Sequence, residues 1–259
     1  NLNEKECSVK YPSFKLPDNY EYLVEPNAGY VVPEDVVELY CDLARRKGAT
    51  IMDNQLVETW SESNNTISVK TKGATYTANK IIFTAGGFTQ NLLPFHKYQL
   101  VARRQIICWF EPKNPSLFTS EKFPCFLYAT PEFPGSFYGF PLLPIGDGSG
   151  KIGVKVGYHA LHDFDRDKES QMIKEFMTAY IPEGYKSVLS IKSCMYTYTD
   201  DGHFILENHR DYKNVSVACG FSGHGFKFAP LVGEILADLS LEGKTEHPIE
   251  FLSSKRLHR

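Results

Sequence analysis

The sequence contains no apolar run long enough to span a membrane, no C-x-x-C pair, no Walker A motif and no G-x-G-x-x-G dinucleotide fingerprint. Positive charge is also scarce, since 28 Lys and Arg residues stand against 31 Asp and Glu residues. We therefore expect neither nucleic acid nor a membrane as a partner. The six cysteines are scattered, which indicates neither a metal site nor a disulfide framework, so we expect a reducing, cytoplasmic location.

Two kinds of pattern interleave along the 259 residues. Residues 30–90 and 200–259 show mixed helix and strand periodicity, whereas residues 91–199 show aromatic-rich alternation with one helical stretch. Residues 1–29 are irregular and rich in proline. The pattern predicts an α+β fold with two domains, one from residues 30–90 and 200–259 and the other from residues 1–29 and 91–199, with a cleft between them.

Local signals place the main elements. A helix is predicted to start at Pro33 and to stop at Gly48, with a short strand over Ala49 to Met52 after it. An antiparallel meander follows and ends in an apolar, parallel-type strand before Gly86. A second amphipathic helix is predicted from Asp165 to Tyr180. The glycine-rich segment at 146–150 is interpreted as a hairpin turn, because strands flank it on both sides.

The stretch from Val215 to Leu239 organises the second half of the chain. It predicts a buried strand, a glycine-rich loop and a helix that begins near Pro230. The loop carries three glycines and two polar side chains, namely Gly220, Gly223, Gly225, His224 and Lys227. Such a loop lets backbone approach a ligand, and the helix behind it favours negative charge. The residues alone leave two readings open, a ligand contact and a purely structural turn.

Four further side chains could carry chemistry. Alternation along K-V-G-Y-H places Lys155 and His159 on one face of a strand, although a solvated edge strand gives the same pattern. Cys194 lies in another strand-like segment, where a small buried hydrophobe is the ordinary alternative. Tyr138 is equally consistent with simple packing on a sheet.

Four motifs taken together in chain order narrow these readings. They are Y-G-F-P at 138–141, K-V-G-Y-H at 155–159, C-M-Y-T at 194–197 and G-F-S-G-H-G-F-K-F at 220–228. The combination resembles the family of monomeric sarcosine oxidase and N-methyltryptophan oxidase, flavoenzymes with a D-amino-acid-oxidase-like fold. Weaker matches extend the resemblance over nearly the whole chain.

The resemblance implies FAD held covalently through an 8α-S-cysteinyl bond to Cys194. It implies that Lys155 promotes the reaction with O₂, that His159 lies near the substrate and that Lys227 binds the substrate carboxylate. Tyr138 and Tyr196 match tyrosines of the substrate pocket. The remaining cofactor contacts implied by the resemblance are Gly220, Phe221, Gly223, His224, Gly225 and Lys227, with Val57 on the adenosine side.

The implied activity is oxidation of the C–N bond of an N-methyl amino acid such as sarcosine, with O₂ reduced to H₂O₂ and formaldehyde released. The implied domains are an incomplete FAD-binding domain from residues 30–90 and 200–259 and a substrate-binding domain from residues 1–29 and 91–199. Fixed cations suit this chemistry, since they stabilise developing negative charge and orient a carboxylate.

One part of the family pattern is missing from the sequence, namely the Rossmann strand-turn-helix that holds the FAD pyrophosphate. We therefore expect this chain to be a fragment that by itself binds FAD weakly and has little or no activity. Its exposed sheet edge and apolar face favour self-association. Two alternatives stay open at this point. One is a cofactor-free remnant or binding module, and the other is an oxidase of primary or cyclic amines such as glycine or pipecolate.

Overall fold

The computed structural model describes residues 2–15, 17, 20–93, 100–133, 135–146, 148–159 and 165–257. The helices are α1 (Glu4–Lys10), α2 (Pro33–Arg46), α3 (Thr89–Leu92), α4 (Arg166–Tyr180) and α5 (Ala229–Leu241). The strands are β1 (Val57–Ser63), β2 (Thr66–Thr71), β3 (Thr75–Ala78), β4 (Ile81–Phe83), β5 (Val101–Glu111), β6 (Phe126–Ala129), β7 (Ser136–Pro144), β8 (Ile152–His159), β9 (Ser187–Tyr198), β10 (Ile205–Asn208) and β11 (Val215–Cys219). Within these ranges no helix is both long and apolar enough to cross a membrane.

The chain forms two compact units, each made of two separate stretches of sequence. Unit 1 comprises Asn1–Thr50 and Arg104–Cys194, and unit 2 comprises Ile51–Arg103 and Met195–Arg259. Relative to the predicted division, residues 30–50 group with unit 1, and residues 91–103 and 195–199 group with unit 2. The chain passes from one unit to the other three times, between Thr50 and Ile51, within β5 and within β9.

Unit 1 is built on a five-stranded sheet with the order β6-β7-β8-β5-β9. Along β8, residues alternate between two sides, so Val154, Val156 and Tyr158 face a core that is fully buried. The same core includes Ile173 and Phe176 of α4, which confirms the predicted amphipathic helix. Its N-terminus is capped by Asp165, whose carboxylate accepts hydrogen bonds from two backbone N–H groups. This core covers one face of the sheet, and the side chains discussed below lie on the other face.

Unit 2 contains the predicted meander, a three-stranded antiparallel sheet with the order β1-β2-β3. It also contains a second sheet with the order β10-β11-β4. In that sheet β4 runs parallel to β11, as its continuous apolar sequence predicted. All five residues of β11 are buried, and α5 packs on the sheet through apolar residues that include Ile235 and Leu239. The loop between β11 and α5 is therefore held at both ends by buried elements.

One local expectation differs from the structure. The strand predicted over Ala49 to Met52 is wrong, because the chain there is irregular and exposed. Gly48 has a φ of +92°, and the N–H of Ala49 bonds back to the carbonyl of Ala44, so the end of α2 turns the chain away from any pairing. The helix α2 itself is confirmed, but its apolar stripe is exposed, with Leu39 at 57% accessible.

The glycine-rich segment 146–150 joins β7 to β8, which pair antiparallel from Ser136↔His159 to Pro144↔Ile152. The predicted hairpin turn is thereby confirmed, with Asp147 outside the described residues. Its glycines at 146, 148 and 150 all have positive φ, a conformation that other residues rarely adopt.

Candidate functional site

The free face of the unit 1 sheet carries Lys155, Gly157 and His159, which share one side of β8. The register aligns Gly157 with Tyr138 on β7 and with Ile107 on β5. A Cβ atom on Gly157 would lie 2.5 Å from both Cζ and Oη of Tyr138, so the tyrosine side chain occupies the space next to the glycine. Gly157 thus makes room for Tyr138 between Lys155 and His159.

Lys155 lies two residues before Gly157 on β8, where it is paired with Phe140 of β7 and with Trp109 of β5. Its ammonium stands 5.1 Å from the centroid of the Trp109 ring and 5.6 Å from that of Phe140. Both distances fall within the range of cation–π attraction. Burial lowers the pKa of Lys155 below its ordinary value, and the carboxylate of Glu34 opposes this effect. Lys155 is a partly desolvated cation held by aromatic rings.

Cys194 lies on β9 and is one of six free thiols. Its sulfur is partly exposed and donates to the carbonyl of Gln105 at 3.6 Å. Burial raises the pKa of the thiol, an effect that Glu169 reinforces and the Lys155 ammonium partly offsets. The structure therefore places Cys194 and Lys155 within electrostatic range of each other on unit 1.

In unit 2 the glycine loop joins the buried strand β11 to α5 through a 3-10 turn at Phe226–Phe228. Gly220, Ser222 and Gly223 all have positive φ. The N–H of Ser222 bonds to the carbonyl of Thr197 at 2.9 Å, which ties the loop to β9. His224 closes the turn, with its N–H on the carbonyl of Phe221 at 3.0 Å and its Nδ1 3.1 Å from the carbonyl of Ser222. The loop has a defined, hydrogen-bonded conformation.

Tyr196 contacts this loop in the same way as Tyr138 contacts β8. A Cβ atom on Gly223 would lie 2.5 Å from Cδ2 of Tyr196, so the ring rests on the glycine. On the other side of the loop, Phe204 packs against Phe221 and His224, with ring centroids 4.8 Å and 4.9 Å away. The two pocket tyrosines predicted from the sequence thus each lie against a glycine.

The remaining predicted residues have less definite surroundings. Lys227 and His224 are exposed, and Lys227 lies in the 3-10 turn before α5. Val57 opens β1 beside a register shift, opposite Thr71. Lys155, His159, Tyr138 and Cys194 belong to unit 1, and the other predicted site residues belong to unit 2.

Sequence reasoning missed two residues of unit 1, Lys192 and Trp109. Lys192, two positions before Cys194 on β9, places its ammonium 5.3 Å from the centroid of Trp109. Neither residue belongs to a motif, and both lie in strands whose alternation could have marked them. In the described part of the chain, no cluster of three or more His, Cys, Asp or Glu side chains could hold a metal ion.

Residues 2–239 match the family described as "DAO: FAD dependent oxidoreductase". The chain is 33% identical to a monomeric sarcosine oxidase from Bacillus sp. (strain NS-129), covering 97% of this chain and 66% of the relative. It is 31% identical to N-methyl-L-tryptophan oxidase of Salmonella enteritidis PT4, covering 94% of this chain and 65% of the relative. The chain thus spans about two thirds of the length of these relatives.

Among solved structures, the open form of NikD, an unusual amino acid oxidase, matches with a TM-score of 0.80 at 22% identity. The match covers 97% of this chain and 67% of NikD. It confirms the predicted α+β, D-amino-acid-oxidase-like fold.

Proposed function

Because this chain belongs to the DAO family of FAD dependent oxidoreductases, we propose that it contributes to FAD-dependent oxidation of an N-methyl amino acid such as sarcosine. The reaction consumes one O₂ and one water per substrate and releases the demethylated amino acid, formaldehyde and H₂O₂. Its similarity to sarcosine and N-methyl-L-tryptophan oxidases supports this substrate class. The single structural observation that carries the proposal is that a free thiol, Cys194, and a partly buried ammonium, Lys155, lie on one five-stranded sheet, on the two strands that flank β5.

The residues of unit 1 fit FAD as a cofactor. Cys194 forms no disulfide, is partly exposed and can form a thioether, and Lys155 has no hydrogen-bond acceptor or ion-pair partner within the described residues. FAD, when bound, supplies the two-electron acceptor that this reaction requires. We propose Cys194 as the covalent attachment point. In unit 2 we propose further FAD contacts at Gly220, Phe221, Gly223, His224 and Gly225, with Val57 on the adenosine side.

The side chains of the protein have distinct proposed roles. The fixed charge of Lys155 stabilises the negative charge that develops as O₂ is reduced. Lys227 is exposed and serves as a point charge for the substrate carboxylate. We propose Tyr138 and Tyr196, each held against a glycine, as residues that contact the substrate, and we propose a place near the substrate for His159. Lys155 and Lys227 thus have different proposed roles. Lys155 acts in the reduction of O₂, and Lys227 orients the substrate.

The reaction is tested by incubating flavin-loaded protein with sarcosine or N-methyl-L-tryptophan and measuring formaldehyde, H₂O₂ and O₂. We expect formaldehyde and H₂O₂ in equal amounts, matched by the O₂ consumed. Glycine and pipecolate serve as comparison substrates, and turnover of either without formaldehyde would move the assignment to primary or cyclic amines. Flavin-loaded protein that oxidises none of the four would contradict the proposal and favour a cofactor-free remnant or binding module.

Covalent attachment is tested by acid precipitation, because only a covalently bound flavin stays with the precipitated protein. We expect flavin absorbance in the pellet of the wild type and its loss in Cys194→Ser. Cys125→Ser is a matched control, since Cys125 is also partly exposed in unit 1, and its sulfur also donates to a carbonyl at 3.6 Å. Flavin that stays with precipitated Cys194→Ser would refute the assignment of Cys194.

A further inference from the structure

Unit 2 contains a cavity of about 380 Å³ that is lined by α5, by β10 and by the C-terminal segment, residues 247–257. Helix α5 contributes Leu231, Val232 and Ile235 to the lining, and β10 contributes Leu206. Sites for small molecules have volumes of roughly 300–1,000 Å³ and are mostly apolar. All the lining residues belong to unit 2, so the cavity is formed by one compact unit.

The C-terminal segment is held in place by bonds to carboxylates of unit 2. The hydroxyls of Ser253 and Ser254 donate to the carboxylate of Glu207 on β10, at 2.8 Å and 2.5 Å. The guanidinium of Arg256 binds both carboxylate oxygens of Asp201, at 2.7 Å and 3.1 Å. Paired bonds of this kind fix geometry as well as adding energy. The cavity is therefore formed before a ligand arrives.

Aromatic rings make up part of the lining. Phe204 packs against His224 and Phe228, with ring centroids 4.9 Å and 5.5 Å away. In the C-terminal segment, Phe251 lies edge-on to His203 at 6.2 Å. None of the described residues that line the cavity is a lysine, an arginine or a carboxylate. The lining thus favours a flat, uncharged molecule, because a charged one would lose its hydration without gaining a partner.

His224 gives the cavity a hydrogen-bond acceptor. Its Nδ1 lies 3.1 Å from the carbonyl oxygen of Ser222, and a carbonyl only accepts, so Nδ1 carries the hydrogen. In the neutral ring Nε2 is then the acceptor, and it has no partner within the described residues. His247 differs, since its Nε2 lies 3.3 Å from a carboxylate oxygen of Glu234. A ligand that donates one hydrogen bond would therefore match His224.

We propose that this cavity binds a neutral aromatic compound of two or three rings that carries one O–H or N–H donor, such as a naphthol. An apolar cavity of about 150 Å³ holds one benzene molecule, so the larger volume here suits two or three fused rings. The rings pack on the aromatic and aliphatic lining, and the donor bonds to Nε2 of His224. Since Lys155 and Cys194 belong to unit 1, the site does not include them.

The probe is 2-naphthol, measured by equilibrium dialysis against the protein as purified. The comparison compound is 2-methoxynaphthalene, which has the same two rings but no O–H. We expect one saturable site, with 2-naphthol bound about fivefold more tightly than its methyl ether. In His224→Phe, which keeps an aromatic ring but removes the acceptor, the affinities for the two compounds should become nearly equal.

Leu231→Glu places a carboxylate in the lining and should weaken the binding of both compounds by at least about tenfold. Leu241→Glu is the matched control, because Leu241 is an exposed leucine of the same helix outside the lining. Phe251→Glu makes the same change in the C-terminal segment, at a side chain that is 59% exposed, and serves if Leu231→Glu fails to fold. Equal thermal midpoints would show that the variants compared are folded.

Binding that does not saturate, or that is the same in Leu231→Glu and Leu241→Glu, would overturn the cavity as a site. A preference for 2-naphthol that persists in His224→Phe would overturn the role of His224. Dialysis is repeated with added FAD and with added sarcosine, and we expect neither to change the affinity for 2-naphthol. Competition by either compound would overturn a site separate from the proposed oxidase chemistry, whereas failure to oxidise N-methyl amino acids would leave the expected naphthol binding unchanged.

Discussion

Replacing Gly223 by alanine should strain the loop before α5 in two separate ways. Gly223 has a φ of +80°, which an alanine adopts only at a cost, and its new Cβ would lie 2.5 Å from Cδ2 of Tyr196. Contact between two carbon atoms needs more than 3 Å, so the Tyr196 ring or the loop has to move. The variant tests whether the loop has the backbone and the tyrosine contact described here.

The two effects can be estimated separately. A left-handed conformation costs a non-glycine residue roughly 1–2 kcal/mol. Forced overpacking costs roughly 1–3 kcal/mol, and the lower half applies because Tyr196 is only half-buried. We therefore expect the free energy of unfolding to fall by about 2–4 kcal/mol, which lowers Tm on the order of 10 °C in a chain of this size.

Gly157→Ala is the matched control, because it creates the same kind of clash, 2.5 Å from Tyr138, without a positive φ. Thermal and urea unfolding of both variants, alone and combined with Tyr138→Ala or Tyr196→Ala, give two double-mutant cycles. Removing Tyr138 should relieve nearly all of the strain in Gly157→Ala. Removing Tyr196 should relieve only the clash in Gly223→Ala and leave about 1–2 kcal/mol of backbone strain.

The reasoning would be refuted by a Gly223→Ala protein that unfolds at the wild-type temperature. It would be equally refuted if either tyrosine showed no coupling with its glycine, since the contact would then not exist in solution. A full rescue of Gly223→Ala by Tyr196→Ala would show that the positive φ is not required.

Two further variants test charges in the structure. Arg256 holds the pKa of Asp201 at about 2, so Asp201→Asn should lower the free energy of unfolding by about 1 kcal/mol at neutral pH, after screening of this partly exposed pair. Urea midpoints should show the difference vanishing as pH falls from 3.8 to about 2. Burial lowers the pKa of Lys155 below 10.5, so the cost of its buried charge is present at neutral pH and is relieved as pH rises. Lys155→Met should therefore raise Tm at pH 7, and the gain should shrink toward pH 10.5; an equal gain at both pH values would contradict this.

Much of the fold follows from local sequence patterns. The meander, the parallel strand before Gly86 and the strand–loop–helix around Gly223 were all predicted, because alternation and glycine placement are properties of neighbouring residues. The alternation that places Lys155 and His159 on one side of β8 follows from the same rule. The roles of these side chains stay predictions, since they depend on groups that a strand pattern does not contain.

Other features depend on contacts between distant residues. The strand predicted at Ala49 to Met52 is absent, because a strand needs a partner that the local sequence does not reveal. Lys192 and Trp109 are 83 positions apart and meet only because β5 and β9 are neighbours in the sheet. The exposure of Leu39 in α2 could not be predicted either. Periodicity predicts that a helix has an apolar stripe, but it does not predict which residues cover that stripe.

The division of each unit into two stretches of sequence has a consequence for synthesis on the ribosome. Unit 1 needs residues up to Cys194 before its sheet is complete, and unit 2 needs β10, β11 and α5, which follow Cys194 in the sequence. Residues 51–103 therefore leave the ribosome long before their partners in unit 2, with Ile67 and Phe83 still uncovered. During that interval the nascent chain exposes apolar strands, so its yield in cells should depend on chaperones more than that of a protein with contiguous domains.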